Sequence, residues 1–165
     1  SACSRSQCPL QSCPQPQPAT RITMGYAGEA AVKASAAQIS AKSADLGPKL
    51  FLFFFKEFPE KKNAFPNYKG KADLMSVGRF PVHTKNVLDA VLKLVEVAGN
   101  DADLNAAATQ VIADHVSRGT SMQDYTDLFS IFVPFLETEM AVSADAKTGW
   151  GNCAGRILAA LQAAS

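Results

Sequence analysis

The sequence predicts an all-α protein, and three features carry that expectation. From Gly28 onward nearly every segment spaces its apolar residues with helical period, and no segment alternates as a strand would. Helix-boundary signals recur, among them Ser121 with Asp124, which resembles a capping box, and Gly99-Asn100, which reads as a helix end. Both histidines, His83 and His115, fall on the apolar faces of predicted helices.

Taken in order, residues 1–24 are rich in Ser, Gln, Pro and Cys and poor in large apolar side chains. Such a stretch cannot bury enough surface to offset its ordering entropy, so a disordered extension is expected ahead of one domain over 25–165. The Ala-rich run Glu29 to Ser43 reads as a first helix. Asp45 is the expected cap of a second, with Pro48 in its first turn and the LFLFFFKEF run buried on most sides. Pro59 opens a short turn, PEKKNAF, and the polar, Gly-containing residues 66–78 form a corner and loop. A long helix follows from about Phe80 to Ala98, then another from about Asp103 to Val116. Ser121 opens a helix to about Ala141, bent at Pro134, and the last spans about Ser143 to Ala163.

At 165 residues, 47% hydrophobic and 19% charged, the chain is long and apolar enough for a substantial core. A net charge of +1 points away from nucleic acid and other polyanions. The longest unbroken apolar run, Leu50 to Phe55, is far too short to span a bilayer, so no membrane partner is expected. A cytoplasmic location is expected, or extracellular fluid where a signal peptide has been removed. Cys3, Cys8 and Cys13 share the spacing C-x4-C-x4-C, open to three readings: a zinc site without a fourth nearby ligand, a link to another chain, or exposed thiols on an unstructured tail. Cys153 is expected to pack on the last helix. Phosphate loops, G-x-S-x-G and H-E-x-x-H are absent from the sequence.

The histidines are the chemically informative residues. Helical steps from His83 reach Val87, Ala90, Val91 and Leu94; steps back from His115 reach Ile112, Val111, Ala108, Ala107 and Leu104. Each imidazole therefore projects from an aliphatic face, while Lys85, Asn86, Asp89 and Lys93, or Asn105, Thr109 and Asp114, point the other way. Two readings stand for each. A lone histidine on such a face is most often a satisfied core residue. Two such helices in an all-helical chain also suit a metal: one histidine ligating while its other nitrogen donates to a carbonyl near Val111, the other facing the open position.

Three stretches resemble the globin family over about Glu29 to Gln162. Phe58 to Lys71, FPEKKNAFPNYKGK, has the Pro that starts the short third globin helix, Pro59, and six residues on the corner Phe, Phe65. Val82 to Val91, VHTKNVLDAV, is similar to the distal helix, and DHVSRGTS to the proximal segment. Trp150 stands where many invertebrate globins have Trp. The resemblance implies a globin fold around haem b, with His115 as iron ligand and His83 at the distal position. It further implies that Phe51 stands above the distal side, Phe65 packs on the porphyrin, Val87 crowds the ligand, Val111 touches the proximal face and Tyr68 fills the second aromatic place of the corner. The corner and distal segment look most like marine annelid globins, including the dehaloperoxidase type, with mollusc globins next.

Some positions depart from the family. Pro81, two residues before His83, is expected to delay or kink the distal helix. Ala36 stands where many globins have Trp, which predicts a void against the neighbouring helix. Gly119 replaces a polar propionate partner, leaving Arg118 as a candidate. Covalent haem attachment is not expected, because C-x-x-C-H is absent. The implied function is reversible dioxygen binding, with other diatomic gases as further ligands and a homo-oligomer left open. Its rivals are a peroxidase or dehaloperoxidase using His83 as acid and base, a sensor in which His83 itself ligates iron, and a haem-free helical interaction domain.

Overall fold

A computed structural model describes residues 25–165; the expected extension over 1–24, with Cys3, Cys8 and Cys13, lies outside the described residues. Six α-helices follow one another: α1 Glu29–Ala41, α2 Ser43–Glu57, α3 Phe80–Val97, α4 Asp101–His115, α5 Met122–Glu139 and α6 Ala144–Ala164. Short 3-10 turns occupy Pro59–Ala64 and Val116–Arg118, and no strand occurs among the described residues. The all-α expectation is met.

Several boundaries differ from the sequence expectation for local reasons. Asp45 does not cap α2. The chain turns between α1 and α2 at Lys42 alone, whose carbonyl already receives Asp45 N and Leu46 N, so α2 starts at Ser43. Asp45 instead sits in the first turn, where its charge suits the helix dipole, and pairs with Lys49 at 3.0 Å. Pro48 lies inside α2 rather than in its first turn. It costs the helix one hydrogen bond, to the carbonyl of Ala44, a residue exposed to solvent. Gly99-Asn100 closes α3 as expected, with Asn100 N bonding Val97 O at 2.9 Å, and Asn100 also begins α4, accepting from Ala102 N at 3.0 Å and Asp103 N at 3.3 Å. The Ser121–Asp124 capping box forms in both directions.

The core is aromatic and aliphatic. Phe51 and Phe54 of α2, Phe80 and Leu88 of α3, Phe132 and Phe135 of α5, and Trp150 and Ile157 of α6 are all buried. Each such side chain contributes about 1.5–3 kcal/mol through burial. Trp150 adds an indole N–H bond to Ser35 Oγ at 2.8 Å, tying α6 to α1. Beside Ala36 the expected void takes the form of an open groove of about 590 Å³ between α1 and α3. Exposed Lys93 and Glu96 border it, so it is open to solvent rather than a sealed cavity.

Gly47 sets how closely α2 and α3 approach. A Cβ there would lie 2.7 Å from Lys85 N and 2.8 Å from the Thr84 carbonyl carbon, so only glycine lets the backbones touch. One turn later on α2 stands Phe51, and next to Thr84 on α3 stands His83. The crossing therefore brings these two rings together.

Candidate functional site

His83 sits in the second turn of α3. Pro81 does not kink the helix: it falls in the first turn, where its missing N–H would be unpaired anyway, and His83 N still bonds to Arg79 O at 2.9 Å. The imidazole meets Phe51 at 5.6 Å, Phe65 at 5.8 Å and Tyr68 at 5.8 Å between ring centroids. Tyr68 Oη lies 2.7 Å from its Nδ1. A cavity of about 120 Å³ opens beside this cage, lined by Phe65, Tyr68, Arg79 and His83 among others. Burial pushes the His83 pKa down, and the positive charges of Arg118, Arg79 and His115 push it further the same way. The ring is thus neutral near pH 7, and the two histidines lie within each other's electrostatic reach.

His115 is the last residue of α4. Its Nδ1 is 2.7 Å from Val111 O, one helical turn back, as the spacing anticipates. Directly after it the α-helix tightens into the Val116–Arg118 turn and stops at Gly119, whose φ of 67° suits glycine. Tyr125 of α5 packs edge-on against the ring at 5.8 Å and 71°.

The other expected residues fall on these same elements. Phe51 of α2 is buried; Phe65, which ends the Pro59–Ala64 turn, is half-buried. Val87 on α3 and Val111 on α4 are half-buried too, packed on the core but partly open. Ile112, Met122, Tyr125 and Leu128 share this state. Together they present apolar surface on α3, α4 and α5 that the described residues do not fully cover. Arg118 is exposed and close enough to act on both His83 and Tyr125.

Sequence reasoning missed two hydroxyls. Tyr68 is expected only as an aromatic filler, yet its oxygen bonds the His83 ring. Tyr125 was not singled out, and its buried hydroxyl has no hydrogen-bond partner among the described residues. A tyrosine in an apolar setting must place its O–H somewhere, but the sequence does not say which segment will meet it. Among the described residues no group of three or more His, Cys, Asp or Glu is placed to hold a metal ion. No helix among them is long and apolar enough to cross a membrane.

Comparison with known proteins adds the family. The globin family model matches residues 48–161. A globin of Aplysia kurodai is 28% identical over 120 residues, covering 72% of this chain and 81% of its own. A myoglobin of Nippostrongylus brasiliensis is 29% identical over 112 residues, covering 67% and 73%. Ferric Aplysia limacina myoglobin matches in structure with a TM-score of 0.76 at 25% identity, over 86% of this chain and 98% of that one. The Aplysia matches lie on the mollusc side of the two lineages that the corner residues resemble. With the family match running from α2 through α6, over helices arranged as in these proteins, the chain belongs to the globin family.

Proposed function

We propose that this globin holds haem b through His115 and binds dioxygen reversibly, with His83 as the distal hydrogen-bond donor. The observation that carries the proposal is the 2.7 Å bond from His115 to the Val111 carbonyl. A carbonyl only accepts, so Nδ1 bears the proton and Nε2 keeps its lone pair, the form in which imidazole ligates a metal. Partly uncovered apolar residues of the corner, α3, α4 and α5 suit a flat apolar group. Half-buried Phe65, Val87, Val111, Ile112 and Leu128 are left partly without protein cover, and the buried Tyr125 hydroxyl is unpaired.

When bound, ferrous haem supplies an open iron position for a diatomic ligand. The chain's own residues do the rest. His115 anchors the group and is held in register by its bond to α4. His83, kept neutral by burial, offers a hydrogen bond to a polar ligand without adding a charge. Phe51, Phe65 and Val87 keep water off that side, and Val111 packs the other. Arg118 stands as a candidate partner for a propionate.

Adding haemin to the purified chain, reducing it and recording absorption with dioxygen and carbon monoxide tests this. A reversible change with dioxygen that oxidises slowly supports a carrier. Rapid halophenol turnover with peroxide would move the assignment to a peroxidase. A low-spin spectrum of the ligand-free ferrous protein would make His83 an iron ligand. Absence of any haem complex would overturn the proposal.

A further inference from the structure

We propose that Tyr68 is a positioning residue that holds His83 in one tautomer, with the proton on Nε2. This inference rests on the distal role given to His83 above. Tyr68 is 3% exposed, and its hydroxyl makes one hydrogen bond among the described residues, to His83 Nδ1 at 2.7 Å. That single contact has two possible directions. If Tyr68 accepted from an Nδ1–H, its own proton would be buried without a partner, at a cost well above that of a satisfied bond. If Tyr68 donates, its proton is satisfied, Nδ1 is the acceptor, and the neutral ring must carry its proton on Nε2. Burial also raises the Tyr68 pKa, so the hydroxyl keeps its proton to give.

The donor is itself held in place. Tyr68 stacks on Phe65 at 5.5 Å and 24°, stands edge-on to Phe80 at 5.2 Å, and its backbone N–H bonds Phe65 O at 2.9 Å. Its hydroxyl is thus aimed from the corner onto α3. The consequence is specific. An Nε2–H ring donates to a bound ligand, whereas an Nε2 lone pair would itself compete for iron. Tyr68 therefore favours ligand binding over closure of the site by His83.

The test is Tyr68→Phe, which keeps the ring packing and deletes only the donor. Nitrogen-15 NMR of the full chain with carbon monoxide on ferrous haem reads the His83 tautomer directly. The wild type is expected to show a protonated Nε2 and a hydrogen-bonded, unprotonated Nδ1. Tyr68→Phe is expected to show a mixture of tautomers and about fivefold faster dioxygen dissociation, in line with loss of one ordering bond. A wild-type Nδ1–H ring, or a variant with the wild-type tautomer and unchanged dissociation, would overturn the inference. If the chain takes up no haem, the function proposed above fails, but the tautomer is still measured in the haem-free chain and still decides the role of Tyr68.

Discussion

His83 and His115 are the only histidines in the chain, and their surroundings are built in opposite ways. His115 is positioned by its own helix: its partner is the carbonyl four residues back, and one ring, Tyr125, leans on it. His83 is positioned by parts distant in sequence. Phe51 reaches it from α2, Phe65 and Tyr68 from the corner, and Gly47 allows the close crossing that brings Phe51 there. A local partner constrains which nitrogen is free but asks little of the fold. A non-local cage makes the chemistry of the ring depend on the packing of three segments. The proximal side should therefore respond to loss of one residue, and the distal side to small changes in several places.

The largest expected effect is on the proximal side. His115→Ala should abolish stable haem retention, a loss beyond the roughly 10–100-fold that removing a partner of a metal ligand costs. Haem transfer to an apo-acceptor measures it, and retention with an unchanged spectrum would end the comparison. On the distal side, His83→Ala should keep haem but speed dioxygen dissociation by roughly 10–100-fold, the value of a hydrogen bond to a strongly polarised ligand. Stopped-flow displacement by carbon monoxide reads this rate; equal rates would mean that the ring does not reach the ligand.

Gly47→Ala tests whether the distal cage depends on the fold. Its Cβ would press on backbone at 2.7 Å, and overpacking of that kind costs about 1–3 kcal/mol. Urea midpoints should fall and dioxygen dissociation should change, while haem retention through His115 holds. A variant as stable as the wild type would show that α2 and α3 can separate freely.

The smallest effect is in pH. The His83 pKa is lower folded than unfolded, through burial first and nearby positive charges second. The folded chain then binds that proton more weakly, so this contribution is complete above the unfolded value of about 6.5. It is lost as pH falls from there toward the folded value. Urea midpoints should drop over that window, and His83→Leu should flatten the drop. A slope equal in both chains would mean that burial of this ring is not linked to stability.

Periodicity and end signals made much of the fold legible. The helices, the Ser121–Asp124 box and the Val111 carbonyl partner of His115 follow from contacts within about a turn, which adjacent residue types dictate. Where the expectation failed, a neighbouring element had intervened. Asp45 lost its capping role because Lys42 alone separates α1 from α2, so α2 begins before Asp45. The kink expected from Pro81 vanished because the helix starts early enough to place that proline in its first turn. The hydroxyls of Tyr68 and Tyr125 were illegible as functional groups, since whether a tyrosine oxygen finds a partner depends on which segments surround it.

The order of residues by itself determined that this chain is all-α, that it resembles a globin, and that its two histidines fall on the apolar sides of helices. It could do so because helical period and spacing along one helix are short-range properties. Tertiary structure alone decided that Gly47 lets α2 meet α3, that Phe51, Phe65 and Tyr68 surround the His83 ring, and that one phenol faces its Nδ1. Those relations join atoms from segments far apart in sequence, and only the packing of the helices brings such atoms within bonding distance.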